Sequence, residues 1–139
     1  MEKQIRNFTN LRSVLVTGGE RDRRECMQQV RRTHPNVLVA TPGRLIDLVE
    51  NYGLDISKVK SVILDEGDMM LDMGFEKDLD RIMKHHMNKE VKSMVFSATV
   101  PKFIQELAQK RMRSPLLIDM VGTGTNQIPD KIKHKAFIV

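Results

Sequence analysis

Short apolar runs alternate along this chain with stretches of helical periodicity, and few architectures accept that rhythm. The runs are Ser13–Thr17, Val37–Ala40, Ser61–Leu64, Ser93–Phe96 and Leu116–Asp119. They are bounded by turn-forming or charged residues and lack the polar alternation of a half-solvated strand. They therefore read as strands buried on both faces, the pattern of a parallel sheet. Between them, Asp22–Arg32 places Cys26, Met27 and Val30 on one side of a helix. Pro42–Glu50 starts behind Thr41, a good cap, with Pro42 at the first helical position. Phe75–Met87 carries Leu79, Ile82, Met83 and Met87 on one stripe, and Pro101–Met112 carries Phe103, Ile104, Leu107 and Ala108 on another. Alternating strand and helix predicts an α/β fold, a mostly parallel sheet with helices on both faces.

A length of 139 residues suits one domain or part of one. The net charge of +5 matters less than its distribution. Residues 1–44 hold nine Lys/Arg against four Asp/Glu, residues 45–90 six against eleven, and residues 91–139 eight against three. A basic, acidic, basic order fits polyanion binding beside a carboxylate-rich site, although many such charges only solvate helix surfaces. Aromatic residues are 4% with no Trp, so stacked bases lack a platform and nucleic acid would be held by its backbone. Cys26 is the only cysteine, which excludes an internal disulfide and points to a reducing compartment, cytoplasmic or nuclear. No apolar run approaches a membrane span and the first ten residues lack a secretory signal, so no membrane partner is expected. The ten methionines read as core fillers.

The most informative segment is Val62–Asp68, VILDEGD, where apolar residues run straight into three carboxylates. The carboxyl end of a buried strand is where α/β sheets place ligand chemistry. An aspartate there can hold a magnesium ion directly or through water, and a neighbouring glutamate can orient or deprotonate an attacking water. At Thr41–Arg44, TPGR puts main-chain N–H groups and an arginine at a helix N-terminus, a ready anion site. Gly18 and Gly19 let the main chain approach a phosphate closely. Contacts of this type bind without reading sequence.

Five motifs in order resemble those of the DEAD-box ATP-dependent RNA helicase family: TGG at Thr17–Gly19, TPGR at Thr41–Arg44, DEGD at Asp65–Asp68, MLDMGF at Met70–Phe75, and SAT at Ser97–Thr99 with the helix after it. The resemblance implies a truncated RecA-like, P-loop NTPase-type domain over residues 1–120, with an interdomain linker and the start of a second domain over 121–139. It implies that Asp65 coordinates magnesium through water, that Glu66 is the catalytic base, and that Asp68 links this motif to SAT and to the second domain. Ser97 and Thr99 would couple nucleotide state to RNA strand separation. Thr41, Pro42, Gly43 and Arg44, helped by Gly18 and Gly19, would bind RNA. The implied cofactors are Mg2+ and ATP; the implied partners are RNA, a second RecA-like domain and protein cofactors.

The sequence departs from the family pattern in two places. Gly67 stands where the family motif has alanine, which adds backbone freedom and predicts reduced precision with the chemistry kept. No G-x-x-x-x-G-K-[ST] occurs in these 139 residues; Gly122–Thr125 reads GTGT with no lysine in register. That loop cradles the phosphates in the family, so the isolated chain is expected to be inactive. The glutamine motif and the Pro-Thr-Arg-Glu-Leu-Ala segment are also absent, and the chain is expected to start just after the latter. Lacking the P-loop strand, the sheet is expected to show a gap or exposed edges. The rival reading is a non-catalytic RNA-binding or interaction module derived from such a domain. A hydrolase triad of Ser97, His85 or His86, and Asp65 is set aside because no nucleophile elbow surrounds Ser97. A zinc site is set aside because His85 and His86 splay apart on a helix.

Overall fold

The computed structural model describes residues 10–19 and 22–120. Among these residues four strands and five helices follow in the order β1 (Ser13–Val16), α1 (Arg23–Thr33), β2 (Val37–Ala40), α2 (Pro42–Tyr52), β3 (Ser61–Leu64), α3 (Gly67–Asp72), α4 (Glu76–Arg81), β4 (Lys92–Val95) and α5 (Lys102–Arg111). The last turn of α4 continues as a π-helical segment, Ile82–His86. Among the described residues no helix is long and apolar enough to cross a membrane.

The parallel pairing expected from the apolar runs is present, but as two pairs instead of one sheet. β1 pairs with β2 in the register Ser13 opposite Val37, and β3 with β4 in the register Ser61 opposite Lys92. The fifth expected strand is absent: Leu116–Asp119 adopts no strand, and Leu116, Leu117 and Ile118 are exposed. An apolar run becomes a strand only when a neighbour satisfies its N–H and C=O groups, and no ladder reaches this one. The expectation of strands buried on both faces holds for β1, where Ser13, Val14 and Val16 are fully buried. It fails for the second pair, whose outer face carries exposed Ile63 (58%) and Met94 (42%), followed by Phe96 (56%).

Each pair has its own core. Around β1 and β2 gather Val14, Val16, Cys26, Met27, Ile46, Leu48, Leu54, Ile56 and Ile82. Under β3 and β4 lie Leu64, Leu79, Met83 and Leu107. Burial of side chains such as Leu48 and Val14 contributes about 2 kcal/mol each. The sequence stripe of α4 thus divides, with Ile82 in the first core, Leu79 and Met83 in the second, and Met87 packed against both. The π turn widens the helix where the stripe must serve two directions.

Local sequence explains the helix ends. Asp22 caps α1 by accepting from Arg24 N–H at 3.0 Å. After α3, Gly74 takes φ +77°; its N–H donates to Leu71 C=O at 2.8 Å and Phe75 N–H to Met70 C=O at 3.0 Å. That pair of bonds is a Schellman stop, and it is what the MLDMGF spelling encodes. Arg81 donates to both oxygens of Glu50 at 2.7 Å, and Arg111 to Asp80 at 2.7 Å, tying α4 to α2 and to α5.

Candidate nucleotide-coupling and RNA-backbone site

β3 ends in Leu64 and the chain turns at once through the three acids. Glu66 adopts a left-handed backbone, φ 54° and ψ 50°, a conformation that costs a side-chain-bearing residue about 1 kcal/mol. Three bonds hold it there. Asp65 Oδ1 accepts from Glu66 N–H at 3.1 Å, Gly67 N–H donates to Phe96 C=O at 3.0 Å, and Met70 N–H donates to Glu66 C=O at 3.1 Å. The Gly67–Phe96 bond joins the turn after β3 to the turn after β4 and brings the acids beside SAT.

Asp68 is the junction. Its Oδ2 accepts from Thr99 N–H and from Thr99 Oγ1–H, both at 3.0 Å, while its own N–H donates to Ser97 Oγ at 3.0 Å. Desolvation pushes the Asp68 carboxyl up, but the bonds from Thr99 side chain and backbone, the Ser97 hydroxyl and Met69 N–H outweigh it and hold the carboxyl below its ordinary range. Asp65, Glu66, Asp68, Met69, Phe96, Ser97 and Ala98 line an open cleft of about 380 Å³ at the carboxyl ends of β3 and β4. Asp65 and Glu66 are exposed at its mouth.

Gly67 is buried, with its backbone outside the left-handed region. A Cβ there would lie 3.0 Å from Ile104 Cδ1, 3.2 Å from Val95 Cγ1 and 3.6 Å from Ser97 Cβ. The glycine therefore marks a close seat for α5 against the acidic turn. The expectation of loosened precision missed this, because Ile104 read from sequence only as part of a core stripe.

The second cluster forms at the carboxyl ends of β1 and β2. Thr41 stands at the N-cap of α2 with no capping bond from its side chain; its Oγ1 instead accepts from Gly18 N–H at 3.3 Å. Pro42 is buried at the first helical position. Arg44 is buried too, with Nη2 donating to Gly19 C=O at 3.4 Å and Nη1 lying 3.8 Å from Cys26 Sγ. Cys26 was legible only as core; its contact with Arg44 depends on how α1 meets α2.

The two clusters share one end of the molecule. α2 and α4 lie side by side in the same direction, because a Cβ on Gly43 would sit 3.6 Å from Phe75 Cε1 at the start of α4, while Glu50 meets Arg81 near the other end. The start of α4 is joined through the Gly74 stop to α3 and the acids. Gly18, Gly19, Thr41, Pro42, Gly43 and Arg44 thus gather at one corner, and Asp65, Glu66, Asp68, Ser97 and Thr99 at another, along the carboxyl ends of the strands.

Comparison with known proteins shows the family. The family model described as DEAD/DEAH box helicase matches residues 1–107. The chain belongs to that family. A DEAD-box ATP-dependent RNA helicase of Oryza sativa subsp. japonica, helicase 9, is 35% identical over 134 residues, covering 95% of this chain and 20% of its own length. The ATP-dependent RNA helicase DBP3 of Candida glabrata is 45% identical over 85 residues, 61% of this chain and 16% of its own length. A crystal structure of a DEAD box protein from the hyperthermophile Methanococcus jannaschii superposes with a TM-score of 0.67 at 37% identity, covering 77% of this chain and 28% of that one. The fold is that of a RecA-like helicase domain. The chain spans about a fifth of the length of the curated DEAD-box relatives it matches. Residues 121–139, expected to hold a linker and the start of a second domain, lie outside the described residues.

The site fits a magnesium ion only in a limited way. Among the described residues no group of three or more His, Cys, Asp or Glu could hold a metal. Asp65, exposed at the mouth of the cleft, is the carboxylate that would hold such an ion through water.

Proposed function

We propose that this chain is a portion of the first RecA-like domain of an ATP-dependent RNA helicase, in which ATP hydrolysis is coupled to duplex unwinding or RNP remodelling. The supporting observation is the Asp68 junction, where one carboxylate takes two bonds from Thr99 and its N–H engages Ser97. In a family of ATP-dependent helicases, such a link lets a change at the nucleotide shift the SAT turn and α5. Asp65 would hold the metal through water, and Glu66, placed beside it in a left-handed turn, would accept the proton of the attacking water. Bound magnesium would neutralise charge on the transferred phosphate. The Gly18–Gly19 and Thr41–Arg44 corner holds RNA by its phosphates, without sequence preference. A second RecA-like domain and protein cofactors would complete the cleft.

The 139 residues contain no G-x-x-x-x-G-K-[ST], so the chain by itself should not turn over ATP. Phosphate release measured with RNA and Mg-ATP is expected at background for the isolated chain; turnover that vanishes on Glu66→Gln would overturn this. In the longer helicase that we take it to belong to, Glu66→Gln should remove RNA-stimulated hydrolysis while ATP binding persists. Hydrolysis that survives that change would sink the role given to Glu66. The ties of Gly18 and Gly19 to the start of α2 by themselves support a second reading, a non-catalytic RNA-binding module. Salt-sensitive RNA binding by a full-length protein that never hydrolyses ATP would select it.

A further inference from the structure

Arg44 is the single cation of the Thr41–Arg44 corner, and the plain reading gives it an RNA phosphate. Its surroundings point inward. The residue is 9% exposed; its guanidinium donates to the Gly19 carbonyl at 3.4 Å and places Nη1 3.8 Å from the sulfur of Cys26, itself 1% exposed on α1. Asp47, one turn along α2, also lies within reach of its charge. The same glycine turn is held a second time, by the Gly18 N–H bond to Thr41 Oγ1 at 3.3 Å. Both ties run from the start of α2 to adjacent glycines, so they fix the distance between two segments of main chain.

We infer that Arg44 is a positioning residue, seated on Cys26, that holds the Gly18–Gly19 turn against the start of α2, so that main chain and not guanidinium meets the RNA phosphates. This rests on the RNA-backbone reading of the corner and deepens it. The geometry asks for a planar fork that reaches a carbonyl with one nitrogen and a sulfur with the other. A lysine ammonium supplies the charge without that fork.

Salt dependence separates the two roles. A direct phosphate contact to single-stranded RNA contributes about 0.7 to the slope of log affinity against log salt, and its removal lowers the slope by that amount. A positioning residue leaves the slope unchanged, because the charges that displace counterions are elsewhere. The chain is titrated with a single-stranded uridine homopolymer at several salt concentrations, as wild type, Arg44→Gln and Arg44→Lys. Both variants are expected to bind on the order of tenfold more weakly, the loss of one charge-assisted hydrogen bond, with the wild-type slope. Near-wild-type affinity for Arg44→Lys, or a lower slope for Arg44→Gln, overturns the inference and leaves RNA binding standing. Failure of the wild type to bind removes the RNA-backbone reading itself. Should both Arg44 variants melt at the assay temperature, Cys26→Ala carries the test: affinity reduced several-fold at unchanged slope supports the seat, and unchanged affinity overturns it.

Discussion

Asp68 shows how one side chain can hold an inter-motif junction. Its carboxyl stays below the ordinary range because desolvation, which favours the protonated acid, loses to the donors from Thr99, Ser97 and Met69. A folded pKa below the unfolded one adds stability that is complete above the unfolded value and disappears as pH falls through the folded value. Below about pH 4 the wild type should therefore lose stability that Asp68→Asn never had. Thermal melts from pH 6 downward should converge for the two proteins at the acid end; parallel curves would show that the Thr99 bonds do not depend on charge. Asp47, Asp55 and Asp80 are also held low by their partners and share the wild type's acid sensitivity, so only the difference between the curves reports Asp68. Gly67 makes the second residue-scale case. Alanine gains roughly 1 kcal/mol of helix propensity over glycine but must push Ile104 Cδ1 from 3.0 Å and the stiffer Val95 from 3.2 Å. Overpacking of that kind costs about 1–3 kcal/mol, so Gly67→Ala should be destabilising by up to about 2 kcal/mol. Ile104→Val removes the obstructing methyl, and a double-mutant cycle should show the pair less destabilised than the sum of its parts. Additivity would mean that α5 is not seated on the glycine.

Among the elements, α3 and α4 decide how the site is displayed. Six residues form each, too few for stability alone, so their ends and packing hold them. The Gly74 stop turns the chain from the acids of α3 to Phe75, which meets the Thr41–Arg44 corner at Gly43. Gly74→Ala puts a Cβ into a left-handed position with open space around it, so only backbone strain is added. A loss of about 1 kcal/mol in stability, read as a lower urea midpoint, is expected. An unchanged midpoint would show that the stop does not hold the turn. α4 shows where periodicity falls short. The spacing of Leu79, Ile82 and Met83 reads correctly as helix, while Met87 is extended just past its end, and Ile82 and Met83, adjacent in sequence, enter different cores. A periodic stripe says that a face is buried and not against what.

For the molecule as a whole, the consequential feature is the open outer face of the second strand pair. Ile63, Met94 and Phe96 lie exposed along it, and Met69 in α3 and Met73 just after it are exposed as well. Paired strands with an apolar solvent face and free edges invite association. The chain should therefore self-associate with rising concentration in sedimentation velocity, and Ile63→Thr combined with Phe96→Ser should reduce this without lowering the melting temperature. A wild type that stays monomeric at high concentration would contradict that reading of the face.

The alternation of apolar runs and helical stripes set the α/β class, and the order of the motifs set the family, because both are properties of spacing along the chain. The start of α2 at Pro42 and the acids at the end of β3 were legible for the same reason: each depends on residues a few positions apart. The seat of Arg44 on Cys26 and the closeness of Gly67 to Ile104 were not, since they join positions 18 and 37 apart through the packing of separate elements; the link from Asp68 to SAT was expected only through the family resemblance, and the packing supplied its partner atoms on Thr99. The fate of Leu116–Asp119 and the bare face of β3 and β4 were decided the same way. An apolar run carries its preference for burial in its own residues, but a strand exists, and is covered, only where the folded chain brings it a neighbour.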